Sequence, residues 1–156
     1  MKLESQFAFK LRPNRVAAVA VTFLGCYLQL VEWVDLYPWN DVRSGNGQET
    51  LDLILAGATL VLVMFLWFGG RSASILASVG LTAWFWLQFS TWWIPYVAGT
   101  SPGWKRVYQQ WFAETVQILP RTEANLPPDA NHIVLHVLIV LALIASLRAV
   151  FQKASV

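Results

Sequence analysis

Charge is scarce in this chain. Asp, Glu, Lys and Arg make up only 13% of its 156 residues, where soluble domains carry about 25%. Cysteine is scarcer still: Cys26 stands alone, which excludes an internal disulfide and a CxxC redox centre and so removes the thiol oxidases. Histidine occurs twice, as His132 and His136. There is no phosphate-binding glycine loop, no serine nucleophile elbow and no rhomboid-like serine site. No internal repeat appears, which argues against the duplicated architecture of many transporters. The basic residues are too few and too scattered for nucleic acid.

What is abundant is apolar surface. Hydrophobic residues reach 56% with a mean hydropathy of +0.49, and nine tryptophans are present. An indole, apolar with a single N–H donor, suits the boundary between hydrocarbon and headgroups. The expected fold class is an all-α membrane protein of one domain whose lipid partner is the bilayer.

Crossing a hydrocarbon core takes about 20 helical residues, and four stretches qualify: residues 16–34, 51–68, 75–97 and 132–151. The second is preceded by Asn46 with Glu49 three residues later, a capping-box-like pair, and closed by Gly69-Gly70. Pro95 should bend the last turn of the third. Asp129 or Asn131 is placed to cap the fourth. These spans predict a four-helix bundle. The first has no small-x-small cleavage site after it and reads as a retained span rather than a leader.

Lys2, Lys10, Arg12, Arg15, Arg71, Arg148 and Lys153 fall on one side, and Arg43, Lys105, Arg106 and Arg121 on the other. By the positive-inside rule both ends of the chain are cytoplasmic, in a plasma or inner membrane. Glu32, Asp35, Asp41, Glu49, Asp52, Glu114, Glu123 and Asp129 lie on the outer side, against Glu4 alone inside. The long outer loop holds a further helix, residues 102–119, with Ser101 as cap and Pro102 at its first position. Its residues Trp104, Val107, Tyr108, Trp111, Phe112, Val116 and Leu119 share one face, so it should lie along the membrane surface or over the mouth of the bundle.

Polar residues inside spans normally turn toward protein or water. On that ground Thr22, Cys26, Gln29 and Glu32 are expected to form an inward stripe on the first span, with Cys26 a small core residue. The ionisable groups Glu32, Asp35, Asp52 and His136 cluster toward the outer side and leave the midplane uncharged. A central proton or ion relay is therefore not expected.

Three functions follow. The first is an accessory or assembly subunit of a larger membrane complex, resting on ample contact surface and an incomplete catalytic set. The second is a binder of a hydrophobic small molecule, a lipid or quinone, in an aromatic outward-facing pocket built from Gln29, Trp86, Gln88, Trp92 and Trp111. The third is a metal-dependent enzyme. His132 and His136, four apart, share a helix face and could hold a divalent metal with Glu32 and Asp35. The catalytic glutamate of an HExxH motif is missing between them. The alternative role for His136 is a hydrogen bond across the bundle to Gln29, Glu32 or Gln88. Bis-histidine haem is not expected, since two ligands on one helix face cannot clamp both sides of a porphyrin.

Overall fold

The computed structural model describes residues 12–42 and 49–152. Lys2, Glu4, Lys10, Arg43, Lys153 and the Asn46 cap lie outside the described residues, as does the side chain of Glu49.

The described chain is all helical, in the order α1 (Pro13–Trp33), α2 (Glu49–Phe68), α3 (Arg71–Ala98), α4 (Pro102–Trp111) and α5 (Ala130–Phe151). Three helices, α1, α3 and α5, are long and apolar enough to cross a membrane. They mark a helical membrane protein. The apolar stretch of α2, Asp52–Phe68, is shorter, so length and hydropathy alone carry three spans rather than the expected four.

Local chemistry sets the ends. Pro13 opens α1 because its fixed φ suits the first turn and its missing N–H has no helical partner to lose. Gly69 and Gly70 turn the chain from α2 into α3, and the Gly69 N–H closes α2 on the Phe65 carbonyl at 2.8 Å. With Gly70 itself as N-cap, α3 starts at Arg71, four residues before the expected Ile75, and runs through Pro95 to Ala98. Ser101 accepts from the Trp104 N–H at the start of α4, and Asp129 accepts from the His132 N–H at the start of α5.

Packing is led by small residues. Ala17 and Ala18 of α1, Ala73, Ser74, Ala77 and Ser78 of α3, and Ala142, Ser146 and Ala149 of α5 are buried. Small side chains let helix backbones approach in a bilayer, where dispersion rather than water exclusion drives association. Leu24, Leu28, Leu66, Leu81, Leu135 and Ile139 join the same core. α5 packs against α1 on one side and α3 on the other, α2 rests chiefly on α1, and α2 and α3 touch little.

The inward polar stripe expected on the first span is formed only in part: Gln29 and Glu32 are half-buried, and Thr22 and Cys26 are not. Cys26 is exposed on the outside of the bundle, as is Thr22. The reason lies in the hydroxyls. Thr22 donates to the Ala18 carbonyl at 2.9 Å and Thr82 to the Ser78 carbonyl at 2.7 Å, each satisfied on its own helix and free to face lipid.

The outer helix is also shorter than expected, ending at Trp111 instead of residue 119. Beyond it, side chains take over the backbone. The Thr115 hydroxyl and the Gln117 amide both donate to the Phe112 carbonyl, at 2.8 and 3.2 Å. Such local bonds compete with helical continuation.

At Gly25 α1 and α2 approach closely, since a Cβ there would run into the Thr59 methyl group. Gly25→Leu is expected to lower the thermal unfolding midpoint in detergent, at a cost of about 1–3 kcal/mol, with partial recovery in the double variant Gly25→Leu, Thr59→Ala.

Candidate functional site

At the end of the bundle that carries α4, the helices leave a cavity of about 540 Å³. Its walls come from Glu32 of α1, Asp52 of α2, Gln88 and Trp92 of α3, Trp104 and Trp111 of α4, and His132 of α5. The space exists because α2 and α3, joined at the opposite end, make little contact with each other.

Aromatic packing holds the roof. Trp92 is 3% exposed. Trp104 and Phe112 meet it edge-on, with ring centroids 5.3 and 4.9 Å away, and Tyr108 lies 6.3 Å away. Tyr108, on α4 with Trp104, is fully buried, and its hydroxyl donates to Gln117 Oε1 at 2.7 Å. Burial pushes the Tyr108 hydroxyl up to about 12, with the Arg121 guanidinium over its ring opposing.

The loop after α4 is tied down by the backbone. Val116 N–H donates to the Pro38 carbonyl at 2.9 Å, and Ala130 N–H donates to the Val116 carbonyl at 2.8 Å. One strand of loop thus links the segment after α1 to the start of α5. Tyr27 reinforces the same end by donating to Asn131 Oδ1 at 2.7 Å while accepting from Trp39 Nε1 at 3.0 Å.

At the centre sits Asp129, only 1% exposed. Its Oδ1 accepts from the His132 backbone N–H at 2.9 Å and from His132 Nδ1 at 2.7 Å. Its Oδ2 accepts from the Thr115 hydroxyl at 2.8 Å. Burial on its own would raise this carboxyl; the hydrogen bonds and charge of His132, with the Thr115 hydroxyl, outweigh it and hold the group below the ordinary carboxylate range. With Nδ1–H spent on Asp129, the His132 ring keeps Nε2 as its remaining nitrogen on the cavity wall. The ring lies against Trp92, with centroids 3.8 Å apart.

His136 is occupied differently. Trp93 Nε1 donates to its Nδ1 at 3.0 Å, which requires the lone pair there and puts the hydrogen of the neutral ring on Nε2, facing Gln88 Oε1 at 3.4 Å. Gln88 is one of the three cross-bundle partners considered from the sequence. The two histidine rings lie 6.5 Å apart. Among the described residues no group of three or more His, Cys, Asp or Glu is close enough together to hold a metal ion.

Of the candidate ligand residues, Gln88, Trp92 and Trp111 come together on the cavity wall, joined by the candidate metal ligands Glu32 and His132. The remaining candidates lie elsewhere. Trp86 is 62% exposed and stacks on Phe89. Gln29 accepts from Trp33 Nε1 on its own helix at 3.0 Å. Asp35 is exposed and receives the Tyr37 N–H at 3.3 Å. Tyr27 and Thr115 were not singled out from sequence, and Asn131 and Trp104 were named only as a candidate helix cap and as part of the apolar face of the outer helix. For Thr115 and Tyr27 no signal was available, because their partners Asp129 and Asn131 lie farther along the chain.

Asp129 binds its proton less readily folded than unfolded, where its value lies near 3.9. Its contribution to stability is therefore present above that value and lost as pH falls through the lower folded value. Asp129→Asn, which keeps the cap, should flatten acid-side loss of stability. Asp129→Ala should cost about 1–2 kcal/mol at neutral pH through the lost cap. Thermal unfolding from pH 7 down to pH 3 checks both.

No family model, no curated protein and no solved structure matches this chain.

Proposed function

We propose that this is a four-span membrane protein, α2 being the fourth span, that binds a small hydrophobic molecule in the cavity beneath α4. One observation carries the reading: a partly open cavity of about 540 Å³ on which Gln88, Trp92, Trp111 and His132 converge. Ligand sites commonly have about 300–1,000 Å³, apolar walls and a few aimed polar groups. The cavity opens toward the outer compartment, with both ends of the chain cytoplasmic. Arg12, Arg15, Arg71 and Arg148 at the opposite end of the bundle support that orientation, against Lys105, Arg106 and Arg121 near the cavity.

A second reading, an accessory subunit bound to other membrane proteins, draws support from α2. It packs chiefly on α1 and leaves Leu60, Val61, Met64, Phe65 and Phe68 bare along one face. Lipid alone accounts for such a face, so this reading ranks second. A metal-dependent reaction is not part of the proposal, because His136 gives its Nδ1 lone pair to Trp93.

Native mass spectrometry of protein released gently from its own membranes tests the first reading. A retained small-molecule adduct that disappears in Trp111→Ala, with the melting temperature held, is the expected result. A bare monomer in every preparation overturns it, and a stoichiometric protein partner in its place promotes the second. For orientation, alkaline phosphatase fused within the 112–129 loop should be active, and the same reporter joined after residue 152 inactive.

A further inference from the structure

The end of the bundle opposite the cavity combines positive charge with an apolar groove. Leu60, Val61, Met64, Phe65 and Phe68 line a shallow groove of about 490 Å³ on α2 that ends at Gly69. Each of the five side chains is more than half exposed. From Leu60 to Phe68 the groove runs roughly 12 Å along the helix at 1.5 Å per residue, close to one leaflet of a hydrocarbon core of roughly 30 Å. An acyl chain fits such a strip, but apolar walls alone do not choose between lipids.

The choice comes from the end of the groove. The Asn14 amide donates to the Gly69 carbonyl at 2.8 Å, which pins the start of α1 to the turn between α2 and α3. Arg15 is the next residue along α1, and Arg71 stands two residues beyond Gly69. The Arg15 guanidinium lies over the Trp67 ring, 5.4 Å from its centroid. Trp67, three residues after Met64, is its neighbour on the helix surface. Cation–π contact positions the guanidinium and leaves its charge in place. Arg12 and Arg71 are exposed. Among the described residues no Asp or Glu lies on α1 before Glu32, on α2 after Asp52, or anywhere on α3 or α5. No described carboxylate therefore shares this end with the arginines.

Taking α2 as a span, we infer that this end binds a phospholipid of net negative charge, its headgroup phosphate between Arg15 and Arg71 and one acyl chain in the groove of α2. A guanidinium fork matches phosphate oxygens. A zwitterionic lipid brings the positive charge of its choline to the same arginines and is the poorer fit. The site is separate from the cavity beneath α4 and does not depend on what fills it.

Native mass spectrometry of the full chain in an uncharged detergent tests this, with phosphatidylglycerol and phosphatidylcholine of identical acyl chains added in equal amounts. One phosphatidylglycerol should be retained about tenfold or more over phosphatidylcholine, since each arginine at a membrane surface favours anionic lipid. Arg15→Gln combined with Arg71→Gln should bring the two lipids level, whereas Arg106→Gln, on α4 at the other end, should leave the preference unchanged. Met64→Trp, which fills the groove and keeps every charge, should lower retention of both lipids and reads the site even if the arginine variant misfolds. Equal retention of the two lipids by the unmodified chain, or a preference that survives the arginine variant, overturns the headgroup site and leaves α2 a lipid-facing span. Unchanged retention in Met64→Trp overturns the groove as the place of binding. Retention of neither lipid overturns the site together with the lipid-facing reading of α2.

Discussion

A buried carboxylate has to be solvated by protein if it is not to be protonated, and Asp129 meets that requirement with one backbone N–H, one imidazole and one hydroxyl. Each of those donors belongs to something the cavity needs. The backbone N–H is the first turn of α5, so the cap fixes where that helix begins. The imidazole is His132, whose orientation on the wall follows from the bond. The hydroxyl is Thr115, which brings the loop after α4 down onto the bundle. Remove the side chain and these three elements lose their common point of attachment.

The helices were legible because hydrophobic runs of spanning length have few other readings, and because Gly69-Gly70, Pro102 and Asp129 punctuate them by known backbone chemistry. Their partners were not legible. Periodicity says which residues share a face and is silent on which face is inward when both sides are apolar. This is why Cys26 and Thr22 were assigned inward and lie outward. A threonine that can bond its own i−4 carbonyl carries no polar debt to the core, so polarity misled where side-chain volume decided. Alanine and serine at the helix crossings were the better signal.

The site was legible in part for a related reason. Gln88, Trp92, Trp111, Glu32 and His132 were identifiable as polar or aromatic groups near the outer end, and they converge there. Trp86 was assigned to the pocket with its aromatic neighbours, but position along a helix does not fix azimuth, and it faces outward. The early end of α4 at Trp111 followed from Thr115 and Gln117 folding back on Phe112. Continuing an amphipathic period past a cluster of hydrogen-bonding side chains overextends the helix. The cavity owes its existence to topology: a two-glycine turn joins α2 and α3 at one end, and the other end is left to α1, α5 and the α4 cap.

Cys26, displaced from the core to the bundle exterior, gives the molecule a reporter position that needs no mutagenesis. It is the chain's lone thiol. It sits on α1 seven residues before Trp33, the end of that helix, roughly 10 Å along the axis at 1.5 Å per residue. A nitroxide attached there would look into the acyl chains rather than into the protein. Its accessibility to oxygen against a water-soluble relaxant would read the immersion depth of α1 directly, and with it the level at which the neighbouring carboxylate of Glu32 meets the headgroups.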